Sequence, residues 1–175
     1  HSKYIDKIYL STDDPDLMKI ANIHNVTIIE RPDYLCTNEA LGEDAFQHGY
    51  FKIKKILKSE NKTIELMVLL FANAATITDR LINEGVEILR KNSNLDSAVT
   101  TSIYNMWSPL RARKIDGEGT LKPFVPFEIF GDPKTLNCDR DSQGNVHYAD
   151  MSVSVVRPRC LEKLEEGLLP QKWMG

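Results

Sequence analysis

The stretch from Leu66 to Ala72 is an unbroken apolar run, Leu-Met-Val-Leu-Leu-Phe-Ala, with no polar face. A run of this length is typical of a strand covered on both sides, as in parallel α/β sheets, although periodicity alone does not exclude a buried helix. Small and polar residues follow, and Thr78 or Asp79 then caps an amphipathic helix. Because ligands of open α/β sheets bind beyond the carboxyl ends of strands, the segment after Phe71 is either a site wall or an ordinary strand-to-helix connection.

The first hundred residues alternate strand and helix patterns around this run. Strand patterns cover 5–10, 26–29 and 97–103, and helix patterns cover 15–24, 42–60 and 79–91. This βαβαβαβ order predicts an α/β fold with a doubly wound, mostly parallel Rossmann-like sheet. We expect its strands to end on one side of the sheet, near Ser11, Glu30, Phe71 and Ile103.

The pattern changes after Ile103. Residues 105–134 hold four of the eight prolines and have no clear helical period. Short strands are expected at 120–124 and 146–149 around a turn at 141–144, then a strand at 151–156 and a helix from Pro158. We interpret residues 1–175 as a single domain with a Pro-rich excursion at 104–150.

Composition narrows the class of protein. The chain has 22 Lys and Arg against 25 Asp and Glu, a net charge of −3, which argues against a nucleic-acid binder. The sequence contains no run of 18 apolar residues, so no membrane span is expected, and no signal peptide is recognised at its start. Three scattered cysteines without a CxxC indicate reduced thiols in a cytoplasmic protein. A strand pattern at the very start predicts a missing upstream element.

Several polar segments could bind a ligand or a metal ion, and each also has a plainer interpretation in which its role is only structural. Ser11–Asp14 suits a metal or a ribose, or simply caps a helix. Arg31, before a proline, suits a phosphate or base edge, or pairs with Asp33. Asp139–Asp150 partly matches a calcium loop, but a hairpin turn fits better. The four histidines share no metal-ligand spacing, and no P-loop, GxSxG or GxGxxG occurs. These residues predict a polar crevice at the strand ends, not a reaction.

The order of these segments resembles the acylneuraminate cytidylyltransferase family. Ile8–Asp14 is similar to the family's strand ending in STDD, and Glu30–Leu35 to its R-P-x-x-L segment. Four further segments match in order, namely Leu70–Thr78 (LQPTSPLRT in the family), Asp96–Thr100 (D-S-V-V-S), Ser108–Arg111 (H-P-L-K) and Tyr148–Val153 (R-P-N-G-A-I-Y).

The resemblance implies a transfer of CMP from CTP to a sialic-acid-like (nonulosonic) sugar acid, with release of pyrophosphate. It places the nucleotide at Arg31, Ala40, Gly42, Ser11 and Asp13. It further implies contacts to the sugar acid from three residues, namely Asn73, Arg111 and Tyr148. Mg²⁺ is an implied cofactor, but no metal ligand and no catalytic residue is assigned. The 104–150 excursion corresponds to the family's dimer arm, so a homodimer is expected.

The chain also departs from the family pattern. The nucleotide loop expected upstream and the acidic metal-binding residues expected downstream are absent from 1–175, and Phe71 replaces the Gln that orients the sugar. Asp150 and Met151 replace an Asn-Gly pair. An alternative is therefore a catalytically silent sugar-nucleotide-binding or assembly domain. A doubly wound domain of unrelated function explains the sheet pattern but not the ordered motifs.

Overall fold

The computed structural model describes residues 2–137, 139 and 141–175. The chain forms two compact units. The main unit holds the residues up to 100 together with 151–175, and the inserted unit holds 101–150. No helix in the described residues is long and apolar enough to cross a membrane.

The strands and helices of the first hundred residues follow the predicted alternation. The bounds are β1 Tyr9–Thr12, α1 Pro15–Ile23, β2 Thr27–Glu30, α2 Gly42–Ser59, β3 Met67–Leu70, α3 Asp79–Lys91 and β4 Ser97–Ile103. The first strand begins four residues later than expected, because the preceding segment packs on α3 instead. There the Tyr4 hydroxyl donates to Glu87 at 2.9 Å, and the Arg90 guanidinium lies 4.7 Å from the Tyr4 ring centre.

The later elements are short apart from one long strand. They are β5 Arg113–Ile115, β6 Leu121–Pro123, β7 His147–Val156 and α4 Pro158–Glu162, with 3₁₀ turns between and after them. The two separate strands expected at 146–149 and 151–156 are one strand, β7. The break expected near Asp150 is not present, and the strand instead continues through Met151, whose φ of 55° is in the left-handed region. A left-handed conformation costs a non-glycine residue about 1–2 kcal/mol.

The α/β class is confirmed, but a doubly wound, mostly parallel sheet is not. β1 and β2 pair in parallel as a two-stranded sheet. β3, β7 and β4 form a second sheet in that order, and β3 runs antiparallel to β7. The sequence pattern missed this arrangement because β7 comes from the far side of the excursion. Such long-range pairing leaves no local signal of neighbour or direction.

The core of the main unit is built on the two faces of β7. Val153 and Val155 pack with α3 residues, and Val156 packs with Tyr50, Leu161 and other residues of a second cluster. This division follows the two-residue period of a strand. Gly85 allows α3 to approach closely, because an added Cβ there would lie 2.7 Å from Val155 Cγ2.

Candidate functional site

The carboxyl ends of β1 and β2 bring Ser11 and Arg31 together. The parallel register pairs Ser11 with Ile29 and Thr12 with Glu30, so both strands end on the same side, as predicted for this pair. The Arg31 Nη2 donates to the Ser11 backbone oxygen at 2.7 Å, and Nε lies 3.5 Å from Ser11 Oγ. In the described residues Arg31 makes no ion pair with Asp33, so the plainer interpretation of Arg31 is wrong. Its Nη1 keeps both hydrogens available.

The two aspartates that follow β1 have different roles. The Asp14 carboxylate accepts from the backbone amides of Asp16 at 2.7 Å and Leu17 at 3.2 Å, so it caps α1 as the plainer interpretation predicted. Asp13 is exposed and faces the Cys36 thiol. Burial raises the pKa of the Cys36 thiol, and the nearby Asp13 carboxylate raises it further. Asp13 therefore stands beside the Arg31 loop without a capping role.

An open cleft of about 700 Å³ lies between the 34–40 loop and α2. Ala40 lines it, and Gly42 begins α2 at its edge. A Cβ added to Gly42 would meet nothing within 4 Å, so open space surrounds the backbone at this point. The predicted base-binding loop thus borders a cleft within the 300–1,000 Å³ range of small-molecule sites.

His48 lines the same cleft, although its sequence position indicated only a helix surface. Its Nδ1 is buried and has no hydrogen-bond partner among the described residues. Burial lowers the pKa of His48, and the positive charges of Lys52 and Arg31 lower it further. A neutral imidazole with one nitrogen acting as donor and the other as acceptor is therefore the favoured form near pH 7.

One wall of the cleft was missed by sequence reasoning. It is a single face of α2, formed by Asp44, Gln47, His48, Phe51, Lys52 and Lys55. These positions recur every three or four residues, which places them on one side of the helix. The sequence does contain this period, but polar residues at helical spacing usually mark a solvated face.

The three sugar-site candidates lie in different units. Asn73 is exposed in the turn after β3, where the Ala74 amide donates to the Phe71 oxygen at 3.0 Å. Phe71 is half-buried and packs edge-on against Phe46, with ring centres 5.6 Å apart. Asn73 therefore belongs to the main unit, next to an aromatic anchor.

Arg111 and Tyr148 belong to the inserted unit and hold the same turn. Arg111 Nη1 lies 3.5 Å from Met106 Sδ, and the Tyr148 hydroxyl donates to the Trp107 backbone oxygen. The Tyr148 ring also packs edge-on against Trp107, with ring centres 5.5 Å apart. Both side chains are exposed, so the structure brings these two candidates to one exposed turn.

The acidic and cysteine residues that the structure describes form no metal centre. Across 2–137, 139 and 141–175, no group of three or more His, Cys, Asp or Glu side chains could hold a metal ion. The 139–150 segment contains the predicted turn, in which the Gly144 amide donates to the Asp141 oxygen at 3.1 Å. The strands expected to flank it do not form a hairpin, because β6 pairs with β5 and β7 pairs with β3. Arg140 lies outside the described residues. Cys36 and Cys160 are free thiols, and Cys138 also lies outside the described residues.

Comparison with solved structures identifies a similar fold. A structure of CMP:2-keto-3-deoxy-manno-octonic acid synthetase complexed with CTP superposes with a TM-score of 0.63 at 10% sequence identity. The match covers 98% of this chain but only 65% of that chain. No family model matches the sequence, and no curated protein is significantly similar to it. At this identity the match establishes the fold alone.

Proposed function

We propose that the ends of β1 and β2 bind the nucleotide of a cytidylyltransferase. The most direct support is the geometry of Arg31. Its Nη2 donates to the Ser11 backbone oxygen at 2.7 Å, whereas its Nη1 makes no hydrogen bond in the described residues. Arginine recognises acceptor edges and phosphates through paired donors, and a guanidinium that is already oriented loses less entropy on binding. Ala40 and Gly42 would hold the base through their backbone, and the Asp13 carboxylate would accept from the ribose hydroxyls.

The proposed reaction transfers CMP from CTP to a sugar acid. The oxygen of a sugar hydroxyl forms a bond to the α-phosphorus and loses its proton to solvent. The bond between that phosphorus and the oxygen that bridges to the β-phosphate breaks, and pyrophosphate leaves. The fold shared with a CMP–sugar-acid synthetase supports this class of reaction. The resemblance further suggests a sialic-acid-like, nonulosonic substrate. Positioning and charge neutralisation supply most of the rate enhancement in such transfers, so no catalytic base is assigned.

Within the inserted unit, Arg111 and Tyr148 are the proposed contacts to the sugar acid. Asn73, in the main unit, stays a prediction from the resemblance. Arg111 suits the carboxylate, because a planar guanidinium can donate to both carboxylate oxygens at once. Its contact with Met106 Sδ is a weak hydrogen bond that a carboxylate would readily replace. Mg²⁺ is proposed from the resemblance alone. The described carboxylates form no group that fits it, so no residue and no step are assigned to the ion.

A catalytically silent binding domain is the second candidate. Phe71 favours it, since this aromatic residue stands where the resemblance expects the Gln that orients the sugar, and it is anchored on Phe46. Phe has no hydrogen-bond donor or acceptor in its side chain, so it cannot orient the sugar as the amide of Gln would. The two candidates share the nucleotide site and differ only in turnover.

Pyrophosphate release separates the two candidates. The full-length protein is incubated with CTP, Mg²⁺ and either an octonic or a nonulosonic 2-keto sugar acid. We expect release that depends on the sugar acid, and we expect Arg111→Ala to raise KM for the sugar acid about tenfold or more. Binding of CTP without any release would support the silent domain. Absence of CTP binding would contradict both candidates.

A further inference from the structure

The acidic and basic side chains of the cleft wall lie at different positions along α2. Asp44 lies in the first turn of α2, and Glu39 lies in the loop before it, whereas Lys52 and Lys55 lie about two and three turns further along the helix. At 1.5 Å of rise per residue, Asp44 and Lys55 are about 16 Å apart along the helix axis. One end of the cleft is therefore acidic and the other is basic.

The two lysines of this wall are unengaged in the described residues. Neither Lys52 nor Lys55 has a hydrogen bond or an ion pair there. Lys54, which does not line the cleft, binds Glu162 at 2.5 Å. Gln47 is also occupied, since its Nε2 donates to the Leu161 oxygen at 2.9 Å. The ammonium groups of Lys52 and Lys55 are thus available to bind a ligand.

Two exposed aromatic side chains also line the cleft. Phe51 is 46% exposed and Tyr34 is 69% exposed, and both line the cleft. Exposed aromatic rings are surfaces on which a nucleobase stacks, whatever its identity. His48, on the same helix face, lies between Asp44 and Lys52.

We infer that this cleft holds a nucleoside phosphate lengthwise along α2. Its base stacks by Tyr34 and Phe51 with its amino edge toward Glu39 and Asp44, and its phosphates reach Lys52 and Lys55. Carboxylates accept from amino groups, and ammonium groups attract phosphate, so only this direction pairs every charged group. The inference rests on the proposed function for its ligand class, and it adds phosphate-binding residues on α2 that the resemblance does not assign.

A lysine double variant tests the inference. Calorimetry on the full-length protein measures binding of CMP, cytidine and inorganic tripolyphosphate to wild type and to Lys52→Ala/Lys55→Ala. We expect CMP and tripolyphosphate to bind at least tenfold more weakly to the variant, and cytidine to bind equally. Lys58→Ala/Lys91→Ala is the matched control, because these exposed lysines lie outside the cleft, and it should bind CMP as wild type does.

The outcomes distinguish this inference from the proposed function. CTP binding to wild type that the Lys52→Ala/Lys55→Ala change leaves intact would overturn the inference and leave the cytidylyltransferase proposal standing. Binding of AMP or GMP but not of CTP, with the same loss in the variant, would support the cleft assignment and contradict the cytidine proposal. Absence of binding by CMP, CTP, AMP and GMP would overturn both.

Discussion

The two units differ in how much apolar surface they bury. The main unit contains both core clusters, with Leu89, Leu161, Val155 and Val156 fully buried. Among the described residues of the inserted unit, Leu110 is the single buried apolar side chain. The inserted unit instead exposes large apolar groups, with Phe124 62% and Ile129 70% exposed. The main unit therefore has a buried apolar core of its own, whereas the described residues of the inserted unit bury little apolar surface.

The backbone of the inserted unit supports the same contrast. Its own sheet is the β5–β6 pair, which is antiparallel and three residues long on each side. A two-stranded hairpin alone is marginally stable in water. Phe127 of this unit is half-buried, and the Arg113 guanidinium lies 4.9 Å from its ring centre. Phe124 remains the strongest candidate for an interface residue.

Truncating a core residue should have the largest effect on stability. Leu161→Ala removes a fully buried side chain beside Tyr50 and Trp173, and we expect it to lower the free energy of unfolding by about 2–5 kcal/mol. Ile129→Ala in the inserted unit should change it by less than about 0.5 kcal/mol. Urea denaturation measures both variants. Equal losses would mean that the two units do not differ as described.

Self-association should depend on the inserted unit. We propose a homodimer through 104–150, and Phe124→Ser should weaken it by about 1.5–3 kcal/mol, the value of burying one aromatic side chain. Sedimentation velocity over a concentration series measures the dissociation constant. Lys114→Ser, an exposed polar change in the same unit, is the control and should leave it unchanged. A wild-type monomer at high concentration would rule the dimer out.

The same tyrosine change should act differently in the two units. The buried Tyr50 hydroxyl donates to Glu162 at 2.5 Å, so Tyr50→Phe should cost about 1–2 kcal/mol of stability. Tyr148→Phe, which removes an exposed hydroxyl of the inserted unit, should cost about 0.5 kcal/mol or less. Thermal unfolding at neutral pH compares the two variants, and a larger loss for Tyr148→Phe would reverse the contrast.

The pH dependence of Tyr50 sharpens this prediction. Burial, followed by the hydrogen bond to Glu162, raises the pKa of Tyr50 to about 12 from an ordinary value of 10.0. Its folded pKa is raised, so its stabilising contribution is complete below pH 10 and is lost as the pH rises toward 12. Wild type should therefore lose stability more steeply than Tyr50→Phe across that window. Parallel curves would contradict the shift.

Local patterns in the sequence predicted some elements closely and others poorly. The bounds of α3 and β4 were predicted correctly, because a Thr78 cap, an amphipathic stripe and a β-branched run are all local signals. The position of β7 between β3 and β4 was not, because its partners are distant in sequence. The strand ends near Ser11 and Glu30 were predicted to lie on one side of the sheet, because the two strands are joined by a helix, and β1 and β2 do end together. The Lys52–Lys55 face was not predicted as part of a site. It lines a cleft only because the 34–40 loop lies opposite it, and the sequence of α2 alone contains no signal of that loop.

The central claim is that the β1 and β2 ends bind a cytidine nucleotide through Arg31. Calorimetry on the full-length protein compares CTP with ATP, first for wild type and then for Arg31→Ala. Arg80→Ala, an exposed arginine on α3, is the control. Losing the bond to Ser11 should itself cost about 1–2 kcal/mol of stability, so thermal unfolding is used to confirm that the variant is folded at the titration temperature.

We expect CTP to bind about tenfold or more tightly than ATP, because a pocket fitted to a pyrimidine edge leaves polar groups unpaired with a purine. Arg31→Ala should weaken CTP binding by about 1.5–3 kcal/mol, and Arg80→Ala should leave it unchanged. Equal affinity for CTP and ATP, or an Arg31→Ala variant that binds CTP as wild type does, would contradict the nucleotide assignment.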